Sequence, residues 1–340
     1  MSEIKTDVYS LIKLEVEILK KLGFKTASLD CRLLLSQILK KSNPVYTHEQ
    51  VYISKKQITN FQILVKERQK GKPISRILNR RNFWKREFIL NEETLDPRPD
   101  SETLITAVLE HFTNKSQSLK ILDLGSGSGC LGLSLSEEYE DSSISFADVS
   151  KKSLEIVKKN SHQFSWKARL KYINLDWHKH DWDTKLLDFE EETKFDIIVS
   201  NPPYIPSNEI KFLETEVKNY DPTLALDGGK DGLNSYRSII PKLKNLVKPN
   251  GKIFFEIGKG QENLVSEIAF QHGLLSIEYK RDLSNIITLV ISDKSFLYSI
   301  ESNPCCKAIS DTKFSCPLPI STNIFPSDLT KFLSFRNMDL

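Results

Sequence analysis

Hydrophobic positions follow three regimes along the chain. Over the first 75 residues they recur at helical spacing. Val8, Leu11, Ile12, Leu19 and Leu22 form one stripe, with Gly23 where a C-cap would sit. Leu29, Leu33, Leu34, Ile38 and Leu39 form a second, stopped by Asn43-Pro44. Two capping-box patterns come next, Thr47-x-x-Gln50 and Ser54-x-x-Gln57. A helix is predicted from about Lys55 to Lys70, ended by Gly71 and Pro73. Residues 1–75 are therefore expected to form a small all-α domain without a catalytic constellation. Residues 76–96 change character: Phe83, Trp84, Phe88, Ile89 and Leu90 are strand formers set among Arg80, Arg81, Lys85 and Arg86, which predicts a hairpin linker.

From residue 97 to 293 short apolar runs alternate with helical patterns. Candidate strands are Lys120–Leu124, Ser143–Ala147, Leu170–Leu175, Phe195–Ser200, Lys252–Ile257, Leu275–Lys280 and Ile286–Ile291. Helices are predicted between most of them, for example Ser150–Ser161 and Asn234–Val247. The alternation predicts an α/β, Rossmann-like domain: a mainly parallel seven-stranded sheet with helices on both faces. Ligands of such sheets bind beyond the carboxyl ends of the strands, so the chemistry is expected just after Leu124, Ala147, Leu175 and Ser200. Residues 294–340 are rich in Ser and Pro and read as a tail of low order. Its Cys305, Cys306 and Cys316 fit no zinc spacing, and no histidine lies nearby.

Composition narrows the class. At 340 residues there is room for about two domains. No run of 18 apolar residues exists, so a membrane helix is not expected. Met1–Lys5 carries no apolar signal segment, and five cysteines, an odd and sparse set, point to a reducing compartment, the cytoplasm. The net charge of +3 conceals an asymmetry. Residues 1–90 carry 19 Lys and Arg against 8 Asp and Glu, a net +11, and the remainder 29 against 37, a net −8. A basic first unit suits nucleic acid or an acidic macromolecule, and charge alone does not choose. The hairpin's bases and aromatics could stack on nucleic acid, but a half-buried hairpin with a solvated face is the favoured reading.

Two motifs carry chemistry. In Ile121-Leu122-Asp123-Leu124-Gly125-Ser126-Gly127-Ser128-Gly129-Cys130 a buried strand enters a glycine-rich turn and then a helix. Glycines there allow positive φ and close approach to a ligand. Asp148, at the end of the next strand, lies 19 residues after Gly129, where a carboxylate can accept both hydroxyls of a ribose. The site therefore reads as one for a nucleoside. Gly127-x-Gly129-x-x-Gly132 also matches the dinucleotide fingerprint, a weak signal alone. Asn201-Pro202-Pro203-Tyr204 directly follows the strand Phe195–Ser200. Its prolines stiffen the loop, and the Asn201 oxygen with a proline carbonyl can accept both N–H groups of a planar NH₂ while Tyr204 packs on its flat face. A delocalised amide nitrogen is a poor nucleophile. Holding both hydrogens in line with an electrophile supplies orientation and favours the charge that develops on nitrogen, without a strong base.

The series Gly125-x-Gly127-x-Gly129 after Asp123 resembles motif I of S-adenosylmethionine-dependent methyltransferases. With Asn201–Tyr204, it implies methyl transfer to a planar nitrogen, on a nucleic-acid base or on a glutamine amide. Flanking residues separate the two: Leu95-Asp96-Pro97-Arg98-Pro99-Asp100-Ser101-Glu102, Asp221-Pro222-x-Leu224-Ala225-Leu226-Asp227-Gly228-Gly229-x-Asp231-Gly232-Leu233, and Phe255-Glu256-Ile257-Gly258. With the helical first domain they closely resemble the HemK/PrmC family of protein-glutamine N5-methyltransferases, over residues from about 8 to 292. The resemblance implies methylation of the glutamine in the Gly-Gly-Gln loop of class-I peptide chain release factors. It implies S-adenosyl-L-methionine held by Gly125, Ser126, Gly127, Ser128, Gly129, Asp148 and Trp177, with Trp177 beside the adenine and Asn201 near the cofactor. Asn201, Pro202, Pro203 and Tyr204 would hold the substrate glutamine, with Asn201, Pro202 and Tyr204 catalytic and no metal. Arg98, Pro99 and Asp100 would line the site from the domain junction. The first helices would grip the release factor, making nucleic acid an unfavoured partner and an N6-adenine-type methyltransferase the alternative. Departures from the family pattern are Ser101 for the usual Thr, a Pro73–Asn79 segment lacking the common Tyr and Gly, and the stretch His178–Lys194. That stretch reads as an inserted, charged, solvated loop rather than a metal site.

Overall fold

The computed structural model describes residues 3–163, 168–274, 276–281 and 287–292. Two compact units divide the chain, Met1–Ser295 and Phe296–Leu340, and the second, with Cys305, Cys306 and Cys316, lies outside the described residues.

The amino-terminal part is helical but not wholly so. Helices α1 (Val8–Lys21), α2 (Ala27–Ile38), α3 (Lys55–Gln69) and α4 (Ile74–Leu78) enclose a core of Val8, Ile12, Leu19, Leu34, Phe61 and Val65. Ser54 and Gln57 form the expected capping box at α3. Thr47-x-x-Gln50 does not start a helix. Gln50 opens a strand, β2 (Gln50–Ser54), paired antiparallel with β1 (Glu3–Asp7). The reason is the period of residues 50–53: Val51 and Ile53 are buried and alternate with exposed Gln50 and Tyr52, a two-residue repeat that suits a strand. The α2 stripe is also displaced. Ala27, Cys31, Leu34 and Leu35 face the core, while Leu29 is exposed. Buried Asp30 on that inner face instead accepts from Arg68 Nε at 2.7 Å.

The linker is a hairpin of β3 (Arg80–Phe83) and β4 (Arg86–Ile89). Phe83 and Phe88 are buried in the core of the following domain. Lys85 donates to Glu138 and Arg86 to Glu137, each at 2.5 Å, so these two cations of the hairpin face carboxylates of the same chain. The hairpin is thus half-buried, as expected.

The sheet is built from β5 (Lys120–Leu124), β6 (Ser143–Asp148), β7 (Arg169–Asn174), β8 (Phe195–Ser200), β9 (Val247–Ile257), β10 (Ser276–Arg281) and β11 (Ile287–Ser292). Its order is β10-β11-β9-β8-β5-β6-β7. The five strands from β9 to β7 are parallel, and β11 runs antiparallel to both its neighbours. All seven expected strands are present; Leu275 and Ile286 lie outside the described residues. Both faces are covered, which is why apolar residues stand at successive positions, Ile121-Leu122 in β5 and Ile197-Ile198-Val199 in β8. Leu122, Leu124 and Ile198 pack on one face with Tyr236, Leu243 and Val265. Ile121, Ile197 and Val199 pack on the other under α5 (Glu102–His111), α6 (Cys130–Glu138) and α7 (Lys151–His162).

Two sequence expectations change here. The helix expected over Asn234–Val247 is broken into Asn234–Ile239, a tight turn Ile240–Lys242 and Leu243–Leu246, because Pro241 has no N–H to continue the ladder. The stretch His178–Lys194 is a solvated turn only at its start. Residues 182–189 form α8 (Trp182–Phe189), whose Trp182 and Leu186 are buried in the sheet core. Buried Glu190 then accepts from Lys171 at 3.1 Å and from Ser145 Oγ at 2.6 Å.

Candidate active site

The strand order reverses between β5 and β8: the chain winds outward through β6 and β7 on one side and through β9 on the other. Such a reversal leaves a crevice at the carboxyl ends of the two strands. Gly125–Gly129 leaves β5 and Asn201–Tyr204 leaves β8 at that point, and Ser200 Oγ ties the two ends by donating to Leu124 O at 2.6 Å.

The glycine loop has the shape of a cradle. Gly125, Gly127 and Gly129 take φ of 81°, 53° and 79°. A Cβ on Gly125 would stand 3.0 Å from the Trp177 ring, so the glycine is what lets the indole lie against the loop. A Cβ on Gly127 would meet nothing within 4 Å, which leaves open space on that side. Asp148 Oδ2 accepts from Gly127 N and Oδ1 from Ser150 N, each at 2.8 Å. Burial pushes the Asp148 carboxyl above the usual range, and those two hydrogen bonds oppose the shift. Asp123, fully enclosed, is pushed up to about 7 by burial. Its Oδ2 accepts from Gly132 N at 2.9 Å, and its Oδ1 has no hydrogen-bond partner among the described residues. An unmatched buried acceptor beside an open glycine cradle suits a ligand that brings a donor. Cradle, indole and strand-end carboxylate together fit the nucleoside and amino-acid ends of S-adenosyl-L-methionine.

The second loop is held from three sides. Asn201 Nδ2 donates to Ser101 Oγ at 3.1 Å, and Tyr204 O–H donates to Glu256 Oε1 at 3.3 Å. Gln261 Nε2 donates to Tyr204 O at 2.9 Å. Residues 205 and 227 form a parallel bridge, with Gly228 N donating to Ile205 O at 2.9 Å. A Cβ on Gly232 would stand 2.3 Å from Tyr204 O, and one on Gly258 3.0 Å from the Tyr204 ring. The Asp227–Leu233 and Phe255–Gly258 motifs thus act as a brace around Asn201–Tyr204. Pro202 is buried and Pro203 is not.

Comparison with known proteins agrees with this geometry. Residues 11–78 match the family model "PrmC N-terminal domain" and residues 100–217 match "Methyltransferase small domain". A release factor glutamine methyltransferase of Clostridium acetobutylicum is 35% identical over 266 residues, which cover 77% of this chain and 90% of that protein. The chain belongs to the release factor glutamine methyltransferase (HemK/PrmC) family. A member from Rhodospirillum rubrum is 34% identical, with 78% of each chain covered. A relative named a bifunctional methyltransferase, from Rickettsia conorii, is 33% identical over 75% of this chain, and the match spans 52% of that longer protein.

The structure brings Gly125–Gly129 against Trp177 and Asp148, and sets Asn201–Tyr204 at the adjoining strand end. At the junction, Arg98 and Asp100 lie within electrostatic reach of Tyr204. Arg98 is engaged with Asp221 at 2.5 Å, and it is Ser101, notable in the sequence only as a substitution, that touches Asn201. Glu256 was visible only as part of a strand-closing motif. Its burial between two prospective site residues has no periodic signature, although an acid within the apolar run Ile253–Ile257 was the available hint. His178 joins Trp177 Nε1 at 3.2 Å and Ser238 Oγ at 3.0 Å.

Proposed function

We propose that this protein transfers a methyl group to the side-chain amide nitrogen of the glutamine in the Gly-Gly-Gln loop of class-I peptide chain release factors, acting in the cytoplasm. The methyl donor is S-adenosyl-L-methionine, which supplies an electrophilic methyl on a sulfonium when bound. The observation that carries the reading is the placement of the braced Asn201–Tyr204 turn beside the Gly125–Gly129 cradle, in a chain 35% identical to a release factor glutamine methyltransferase.

Asp148 and the Gly125–Gly129 backbone bind the donor, and Trp177 covers one face of its base. Asn201 presents its Oδ1, with the Pro202 carbonyl, to the two hydrogens of the substrate NH₂. Tyr204 and the prolines keep water from the amide and limit its rotation. This orients the nitrogen toward the methyl and stabilises positive charge as it develops, which is where a weak nucleophile needs help. The amide proton leaves after transfer and needs no strong base. The four amino-terminal helices form the docking unit for the release factor.

The test offers a release factor and RNA together with labelled donor. Label on the Gly-Gly-Gln glutamine, located by peptide mass, is expected. Label on RNA, reduced steeply by salt, would instead support the base-methylating alternative, and no label on either would overturn the proposal.

A further inference from the structure

We propose that Glu256, acting through Ser101, is the positioning residue that decides which end of the Asn201 amide faces the substrate. The proposal rests on the amide-methylation reading above and deepens it.

An asparagine amide has two nearly isosteric ends, an acceptor and a double donor. Only the acceptor end can hold a substrate NH₂; reversed, the side chain sets NH₂ against NH₂. Something must therefore fix its orientation. Glu256 and Ser101 are both almost fully buried, at 2% and 3% exposed. An ionised carboxylate is acceptor only. Its Oε2 takes the Ser101 O–H at 2.5 Å, which commits the only proton that hydroxyl has. Ser101 Oγ can then do nothing but accept, and what it accepts is Asn201 Nδ2–H at 3.1 Å. The donor end of Asn201 is directed inward, and Oδ1 is left for the substrate. The other carboxylate oxygen, Oε1, takes the Tyr204 O–H at 3.3 Å, so one buried acid orders both ends of the Asn201–Tyr204 turn. Its own strand is anchored there, because Tyr236 O–H donates to the Glu256 carbonyl at 2.8 Å.

The arrangement also accounts for an acid at this depth. Burial pushes the Glu256 carboxyl up to about 7 against the opposing hydrogen bonds from Ser101 and Tyr204, so the acceptor-only carboxylate prevails above about pH 7. A glutamine would bury more easily, but its own NH₂ could donate to Ser101 and release the hydroxyl proton to turn elsewhere. The hydroxyl at position 101 is then a chemical requirement, whether serine or threonine supplies it.

The test compares Glu256→Gln, Ser101→Ala, their double variant and Ser101→Thr. Each single loss is expected to lower kcat about 10- to 100-fold, since misplacement of a reacting group costs on that order. The dissociation constant for S-adenosylmethionine, by calorimetry, should stay within about three-fold, well below the tenfold that 1.4 kcal/mol represents. The double variant should be no worse than the worse single one, because both changes break one chain of bonds. Ser101→Thr should recover most of what Ser101→Ala loses. Losses that multiply in the double variant, or an unchanged kcat in Ser101→Ala, would overturn the proposal even if Glu256→Gln failed to fold. A second readout needs no catalysis: side-chain amide signals of ¹⁵N-asparagine-labelled protein, with Asn201 assigned by its loss in Asn201→Asp. The Asn201 pair should shift in Ser101→Ala and not in Ser101→Thr, and an unmoved pair would overturn the relay. If the unaltered protein labels no glutamine while the signal still moves, the functional reading fails and the relay stands.

Discussion

At the scale of single residues, two carboxylates at the crevice play different parts. Asp148 accepts one backbone N–H on each oxygen, which leaves each oxygen a second lone pair to accept a further donor. Asp148→Ala should weaken S-adenosylmethionine by about 1–3 kcal/mol, roughly 5- to 150-fold, the cost of an unmatched hydroxyl pair. Asn201→Ala should leave that affinity within a few-fold and remove transfer; calorimetry and the labelling assay separate the two. Asp123 offers a pH test. Its folded carboxyl is raised to about 7 by burial, against an ordinary aspartate near 4. Below about pH 4 both folded and unfolded chains hold this proton, so its contribution to stability is fully present there. It declines as pH rises through about 7, because only the folded chain still holds the proton. In the ligand-free protein, Asp123→Asn should therefore lose less stability than the unaltered chain between about pH 4 and about pH 7, read by denaturant unfolding at each pH.

At the scale of elements, the sequence was most informative where a period runs long. The strands of the sheet follow their apolar runs within a few residues, and Ser54–Gln57 caps α3 as its pattern requires. It was least informative where a short pattern suits two structures, as at Thr47–Gln50, or where charge masks burial, as in α8. Trp182, Leu186, Leu187 and Phe189 are interrupted by Asp183, Lys185 and Asp188, yet Trp182 and Leu186 are buried. Trp182→Ala should accordingly cost about 3–5 kcal/mol, as loss of a large core side chain does, measured as a drop in the unfolding midpoint. A change under about 0.5 kcal/mol would restore the solvated-loop reading of the whole stretch.

At the scale of the molecule, the opposed charges of the two halves meet inside the fold. Asp221, just beyond the Asn201–Tyr204 turn, is 8% exposed, and its two oxygens accept from Arg76 of α4 and from Arg98. Arg68 of α3 bridges Asp30 and Glu216 in the same way. Part of the basic excess of residues 1–90 thus holds the docking unit against the segment that carries the amide clamp. Removing one partner of such a buried pair leaves the other charge uncompensated. Asp221→Ala should destabilise by about 3–5 kcal/mol and expose residues 70–100 to protease, while a conservative surface change such as Lys55→Gln should do neither.

Contiguous residues alone dictate the α/β class, the helical first unit, the hairpin and the two strand-end loops, because each is a local pattern: a period, a cap, a glycine turn or a proline pair. The family resemblance rests on those same contiguous motifs. Folding in three dimensions was needed to show how separated residues act together. Ser101, Asn201, Tyr204 and Glu256 span 155 positions and meet through three hydrogen bonds. No periodicity encodes such a meeting, since it depends on strand order and on which side chains point across the reversal between β5 and β8. The same holds for the net charge, whose two halves look like separate binding faces in the sequence and partly neutralise one another in the fold.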